Sequence, residues 1–189
     1  ILPASVAEQY AQNSLQFPRH SLAGGDIAFR NGVPHWSYAL QPDGLVNTFI
    51  GSQAGAVFVD MTTEQKRVTV REQAFDCGQG QLVTDDYLWQ LRKSKYAAEY
   101  QDPVMIETDD GLVMAVPYIQ HEHQFRPTPI PQLYSVPRFG GVALLDESCE
   151  VTHLSPEEAR TSDALEGQRY YPYDLAHVRV NAMQYQHGT

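Results

Sequence analysis

His121 and His123 are the residues of this chain whose spacing points most directly to chemistry. Two residues apart on an extended backbone, their imidazoles share one face and could reach a single metal ion. A third ligand would have to come from His153, His35 or Glu122, the last of which turns to the opposite face of a regular strand. A His-x-His pair bounded by prolines is otherwise an ordinary exposed surface, and that is the expected state here. No other motif implies a metal or cofactor.

Cys77 lies in Asp76-Cys77-Gly78-Gln79-Gly80, just ahead of a helical stretch. A helix N-terminus lowers a thiol pKa and would favour a thiolate nucleophile, yet nothing marks the base, and the glycines serve equally well as a linker. The only other cysteine is Cys149. Two are too few for a disulfide framework and lie nowhere near zinc-ligand spacing. A reduced pair and a single Cys77–Cys149 bridge are both compatible with the sequence, since spacing alone cannot establish a disulfide. Gly78-x-Gly80 before a helix has the outline of a phosphate-binding turn, but Val83 takes the place of the third glycine and no parallel βαβ pattern surrounds it. Asp60 and Asp146 occupy similar settings and read as turn formers rather than as an acid/base couple.

The elements that must position these residues come in two similar sets. Residues 26–40 hold an apolar strand, the Asn31-Gly32 turn and a returning strand, followed by Gly55-Ala-Val-Phe-Val-Asp60 and Arg67-Val-Thr-Val70. Residues 104–119 repeat this around Asp110-Gly111, followed by Gly141-Val-Ala-Leu-Leu-Asp146 and Glu150-Val-Thr-His153. Asn-Gly and Asp-Gly are strong hairpin signals, because a two-residue turn that follows strand twist needs positive φ at both central positions. A helix precedes each meander. The first opens at Pro3 with a Ser5-x-x-Glu8 capping box, turns Val6, Tyr10 and Leu15 inward and stops at Pro18. The second is capped by Thr84 or Asp85, carries Leu88, Leu91 and Tyr96 and stops before Pro103. Ser155-Pro156-Glu157-Glu158 starts a further helix. A last helix carries an apolar stripe of Tyr171, Leu175, Val178, Ala182 and Tyr185, with Gly188 at its C-cap.

The expected fold is therefore α+β: two imperfect repeats of a helix plus a four-stranded antiparallel meander, with a C-terminal helix. The first repeat spans residues 1–76, a linker 77–83 and the second repeat 84–154; a helical segment, 155–189, packs on the second repeat. The copies differ most where the second inserts residues 121–131, with prolines at 127, 129 and 131. Alternate prolines favour an extended, polyproline-like arm. With the tyrosines of 170–173, this arm forms the expected binding surface: His121, His123, Phe125, Arg126, Pro127, Pro129, Tyr170, Tyr171 and Tyr173. Tyrosine suits a face that is half apolar and half wet, although this cluster could equally pack over the second sheet.

Composition narrows the partners. The 189 residues carry 13 Lys+Arg against 23 Asp+Glu, a formal net charge of −10 that would repel a phosphate backbone, so no nucleic acid is expected. No apolar run has the length of a membrane span. Ile1-Leu2-Pro3 lacks the basic start and apolar core of a signal peptide, which suggests a processed chain from an exported or membrane-tethered parent, or a matured virion protein. The helix-plus-meander in tandem, with Val57-Phe58-Val59-Asp60-x-Thr62-Thr63 closing a strand, resembles PepSY-like or cystatin-like units of extracytoplasmic bacterial proteins. That resemblance implies a non-catalytic module that regulates, inhibits or tethers. The expected partner is a protein or another copy of the chain. A structural subunit of a virion or surface layer is the alternative, and a metal-dependent enzyme using His121 and His123 the third reading.

Overall fold

Asn31 and Gly32 adopt φ of 51° and 75°, the pair of positive values that folds strand β1 (His20–Arg30) tightly back into β2 (Val33–Pro42). Strands β3 (Gln53–Asp60) and β4 (Val68–Phe75) complete a four-stranded antiparallel sheet in the order β1-β2-β3-β4. After helix α2 (Tyr87–Ser94) the second sheet is built from β5 (Glu99–Tyr100), β6 (Val104–Thr108), β7 (Gly111–Arg126), β8 (Gln132–Leu145) and β9 (Val151–Leu154). Its order is β5-β7-β8-β9, with β6 also paired to β7. The computed structural model describes residues 2–15, 19–44, 52–62, 67–81, 84–127 and 132–186. Over these the chain is α+β, with antiparallel sheets of four and five strands and four helices.

The second hairpin turns one residue earlier than its Asp110-Gly111 dipeptide suggests. Thr108 pairs with Gly111, so Asp109 and Asp110 make the turn with negative φ, while Gly111 takes φ 135° as the first residue of β7. Glycine suits this position because φ of 135° is a backbone conformation that residues with a Cβ rarely adopt.

Helix α1 (Ala4–Ser14) starts at Pro3, so Ser5 lies inside the helix and forms no capping box. It buries Ala7 and Ala11 rather than Val6 and Tyr10, because small side chains let the helix lie close to the sheet. Under it sit Tyr38, Leu40, Val57 and Val59. Helix α2 is capped by Asp86, whose carboxylate accepts from Leu88 N at 2.8 Å, and not by Thr84 or Asp85. Tyr96 lies beyond its end and is exposed. Helix α3 (Pro156–Thr161) carries the Ser155/Glu158 capping box, which holds the Glu158 carboxyl below its ordinary range. A 3-10 turn (Asp163–Leu165) leads to α4 (Tyr173–Gln186). The stripe expected to bury α4 does not do so: Leu175 is buried, whereas Val178, Val180 and Met183 are exposed. Pro18, Thr63, Val83, Pro129, Pro131 and Gly188 lie outside the described residues.

The two sheets share one core. Ala28, Ala39, Phe58 and Phe75 of the first pack in the same cluster as Ile106, Met114, Val116 and Val142 of the second. Polar links reinforce it. Ser37 Oγ donates to Met105 O at 2.7 Å, and Glu107 of β6 pairs with Arg30 of β1 and Arg71 of β4. Two glutamine amides act as short surrogate strands: Gln73 brackets the backbone of Leu112, and Gln168 brackets that of Phe29. Cys77 and Cys149 are disulfide-bonded across 72 residues, tying the end of β4 to the β8–β9 turn. This removes Cys77 as a nucleophile. Of the expected linker 77–83, the described residues 77–81 fold back on α2, with Gly78 N donating to Asp85 O and Tyr87 N to Gly78 O. That contact spends the glycine backbone on the protein itself, where a phosphate site would have needed it free.

Candidate functional site: the hairpin arm

Strands β7 and β8 begin as the middle of a sheet and continue as something else. β6 accompanies β7 only to Ala115, β5 only to Ile119, and β9 accompanies β8 only from Val142 to Leu145. Beyond these points, residues 120–126 and 132–138 pair only with each other among the described residues. The departure is marked by Gly140, which is left over where the register shifts between Tyr118 and Ile119. A Cβ there would meet the Tyr118 ring at 2.5 Å, so only glycine lets the ribbon leave the sheet along this path.

The segment expected as a polyproline-like arm is thus a β-ribbon through Arg126. Residues of mixed polarity satisfy their backbone by pairing across the hairpin, and prolines stand only where the ladder tolerates them. Pro137 faces His121 in a pair whose backbone groups point away from the ribbon, so its missing N–H costs no internal bond. The parity follows from Pro117, whose carbonyl accepts from Gln101 N on the β5 side. Alternation then turns the N–H and C=O groups of His121, His123 and Phe125 to that same outer edge.

Two faces result. One carries His121, His123 and Phe125, opposite Pro137, Ser135 and Leu133. Phe125 and Leu133 are directly paired yet 64% and 73% exposed. The other carries Glu122, Gln124 and Arg126: Glu122 bonds Arg138 at 2.5 Å, Gln124 accepts from Tyr134 Oη at 2.7 Å, and Arg126 lies over the Tyr134 ring. At the root, His121 Nε2 meets Glu99 Oε2 at 3.1 Å and Nδ1 meets Ser135 Oγ at 3.2 Å. Glu99 also lines an open groove of about 580 Å³ with Leu88, Arg92, Tyr96, Ala98 and Tyr100.

The other expected site residues fall into place around this root. Tyr170 and Tyr171 flank Phe139 of β8 at ring distances of 6.1 and 5.1 Å, so they brace the base of the arm. Tyr173 is exposed beside His177. Pro127 ends the described part of the arm's first strand. The metal ligands are not assembled: His35 Nδ1 bonds Val33 O, Glu122 turns to Arg138, and His153 lies at the end of α2. Among the described residues no three His, Cys, Asp or Glu side chains are placed to hold an ion.

His153 belongs to a second polar cluster that sequence reasoning missed. Ser94 Oγ stands 2.8 Å from His153 Nε2 and also 2.8 Å from Leu91 O, to which it donates. With the hydroxyl proton directed to Leu91 O, Nε2 must be the donor to Ser94, so His153 is no base for this hydroxyl. Burial, and then Lys95, lower the His153 pKa from its ordinary 6.5. Its Nδ1 is buried without a partner, so no acid orients the ring. Lys95 instead donates to Tyr118 Oη at 3.1 Å, and the group fastens α2 to the sheet.

The arm's own partners, Glu99, Leu133, Tyr134 and Arg138, also escaped sequence reading. The alternation of Leu133, Ser135 and Pro137 opposite the His-x-His run was the available signal. No family model, curated protein or solved structure matches this chain.

Proposed function

We propose that the chain is a non-catalytic protein-interaction or regulatory module of an exported or membrane-tethered protein, and that the β7–β8 arm is its contact element. One observation carries the reading: Phe125 and Leu133 form a directly opposed apolar pair held in solvent on a ribbon with no third strand among the described residues. A lone two-stranded ribbon is marginal in water, and exposed apolar side chains at its tip gain most when another surface covers them. The Cys77–Cys149 bridge supports an oxidising, extracytoplasmic setting.

The finer architecture in this proposal is a tandem of imperfect repeats like PepSY-like or cystatin-like units. Gly55 and Gly141 support it. Each lies in the third strand of its meander, five residues before the closing aspartate, with φ of 135° or 125°, and an added Cβ would overlap Arg71 O in one case and Leu154 O in the other. The aspartates that close these strands each bind a hydroxyl two residues on, Asp60 to Thr62 and Asp146 to Ser148.

The test is to replace residues 121–137 by Asn-Gly, joining the paired Gln120 and Arg138 through a two-residue turn. The shortened chain should keep its melting temperature and lose the proteins that the full chain captures from a secreted or membrane fraction. Equal capture by both chains would end the proposal. A structural subunit is the second reading, favoured by the edge of β7 that lacks a partner strand among the described residues.

A further inference from the structure

The edge of β7 that has no partner strand among the described residues has definite limits. β5 fills it as far as Ile119, and Pro127 ends its N–H donors. Between them the backbone of His121, His123 and Phe125 faces outward, while the matching edge of β8 is interrupted by Pro137. The intact edge is therefore one short strand, and an added strand must fit between residues 120 and 127.

A second copy of the same strand fits this length. In antiparallel pairing about a two-fold axis, outward residues must meet outward residues, which allows centres at His123 or Gln124. Both registers form the same number of backbone hydrogen bonds. Centring on His123 sets that histidine against its own image and leaves Arg126 opposite Gln120. Centring on Gln124 sets Glu122 opposite the partner's Arg126, twice by symmetry, with His123 opposite the partner's Phe125. Cross-strand ion pairs and aromatic pairs stabilise a sheet, so the charges choose this register.

We infer that the arm docks a second copy of this chain, edge to edge along β7 in the Gln124-centred register, giving a four-stranded ribbon β8-β7-β7-β8 across the two-fold axis. The inference rests on the reading of the arm as the contact element and names its partner. Four strands lift the ribbon out of the marginal range of an isolated hairpin.

The experiment is sedimentation equilibrium of the purified chain over micromolar to millimolar concentrations, with four variants. The wild type should form a dimer. His123→Pro removes an outward donor while sparing the β7–β8 bonds, as Pro137 does; it should be monomeric and melt where the wild type melts at concentrations too low for dimerisation. Glu122→Arg and Arg126→Glu place like charges opposite each other, and each should raise the dimer dissociation constant about tenfold or more. Mixed one to one they should pair with each other, because one chain then presents two carboxylates to the two guanidinium groups of the other. Gln124→Pro cuts the ribbon's own ladder and should likewise abolish dimerisation. A wild type that stays monomeric, a His123→Pro chain that dimerises as well as wild type, or charge variants that fail to rescue each other would each overturn the inference. If the wild type is monomeric but the shortened chain still loses capture, self-pairing is wrong and the contact role of the arm stands. If capture is also unchanged, both fall.

Discussion

In the first sheet β2 has a neighbour along its whole length, for β1 follows it from Val33 to Pro42, and its later residues are buried. In the second sheet the corresponding strand β7 loses β6 at Ala115 and β5 at Ile119, then runs on to Arg126 largely exposed. Both sheets carry, within the strand that follows, a glycine pressed against a carbonyl of the next strand, Gly55 against Arg71 O and Gly141 against Leu154 O. What separates a core hairpin from an arm is therefore how far its flanking strands accompany it. Backbone pairing and exposed polar side-chain links hold the outer part of β7–β8, whereas packing on both faces holds β2–β3.

That contrast can be broken first at the join between the sheets. Replacing Cys77 and Cys149 by Ala should cost about 4 kcal/mol, the loop-closure contribution expected for a bridge of this span. Urea unfolding measures it, and a loss confined to the second sheet would show that the two do not share a core. Next come the matched glycines. Gly55→Ala and Gly141→Ala each force a Cβ onto a backbone carbonyl at positive φ, and each should cost about 3 kcal/mol. Unequal losses would weaken the claim that the two positions are equivalent.

A smaller effect follows from His153, whose folded pKa lies below its ordinary 6.5. Below 6.5 the unfolded chain binds a proton that the folded chain refuses, so stability should fall as pH drops from 6.5 towards the folded pKa. Urea midpoints at about pH 7 and about pH 5 should differ in that sense, and His153→Gln should flatten the slope. The smallest change is expected in the arm. Phe125→Ser with Leu133→Ser should shift stability by less than about 0.5 kcal/mol, because neither side chain touches the core. A larger loss in thermal melts would mean the arm is part of the core after all.

The meanders were legible because alternation and turn residues are local signals: Asn31-Gly32 marked its hairpin to the residue. Asp109-Asp110 was harder, since a glycine just after a turn and a glycine within one look the same in sequence. Asp86 outcompeted Thr84 and Asp85 because the Gly78 loop fixes where α2 can start. The arm was expected over residues 121–131 with a polyproline-like backbone, whereas the described ribbon pairs residues 120–126 with 132–138. Its histidines and glutamines resemble a loop until Gln132–Leu145 is seen to lie beside them. The stripe on α4 failed for the opposite reason: helical spacing says which side chains share a face, and not whether anything lies across from it. Gln73 and Gln168 gave no signal at all, since each acts on a residue far away in the chain.

Those two glutamines bear on more than the fold. At Phe29 the outward peptide of β1 is occupied by a single carboxamide, donating at 2.6 Å and accepting at 2.8 Å. Truncating Gln168 would leave that peptide ready to template a foreign strand beside a β-rich segment. Protection of this peptide against fibril-like growth is thus one side chain deep, and deamidation of Gln168, which turns its N–H donor into a carboxylate oxygen, would matter out of proportion to its size.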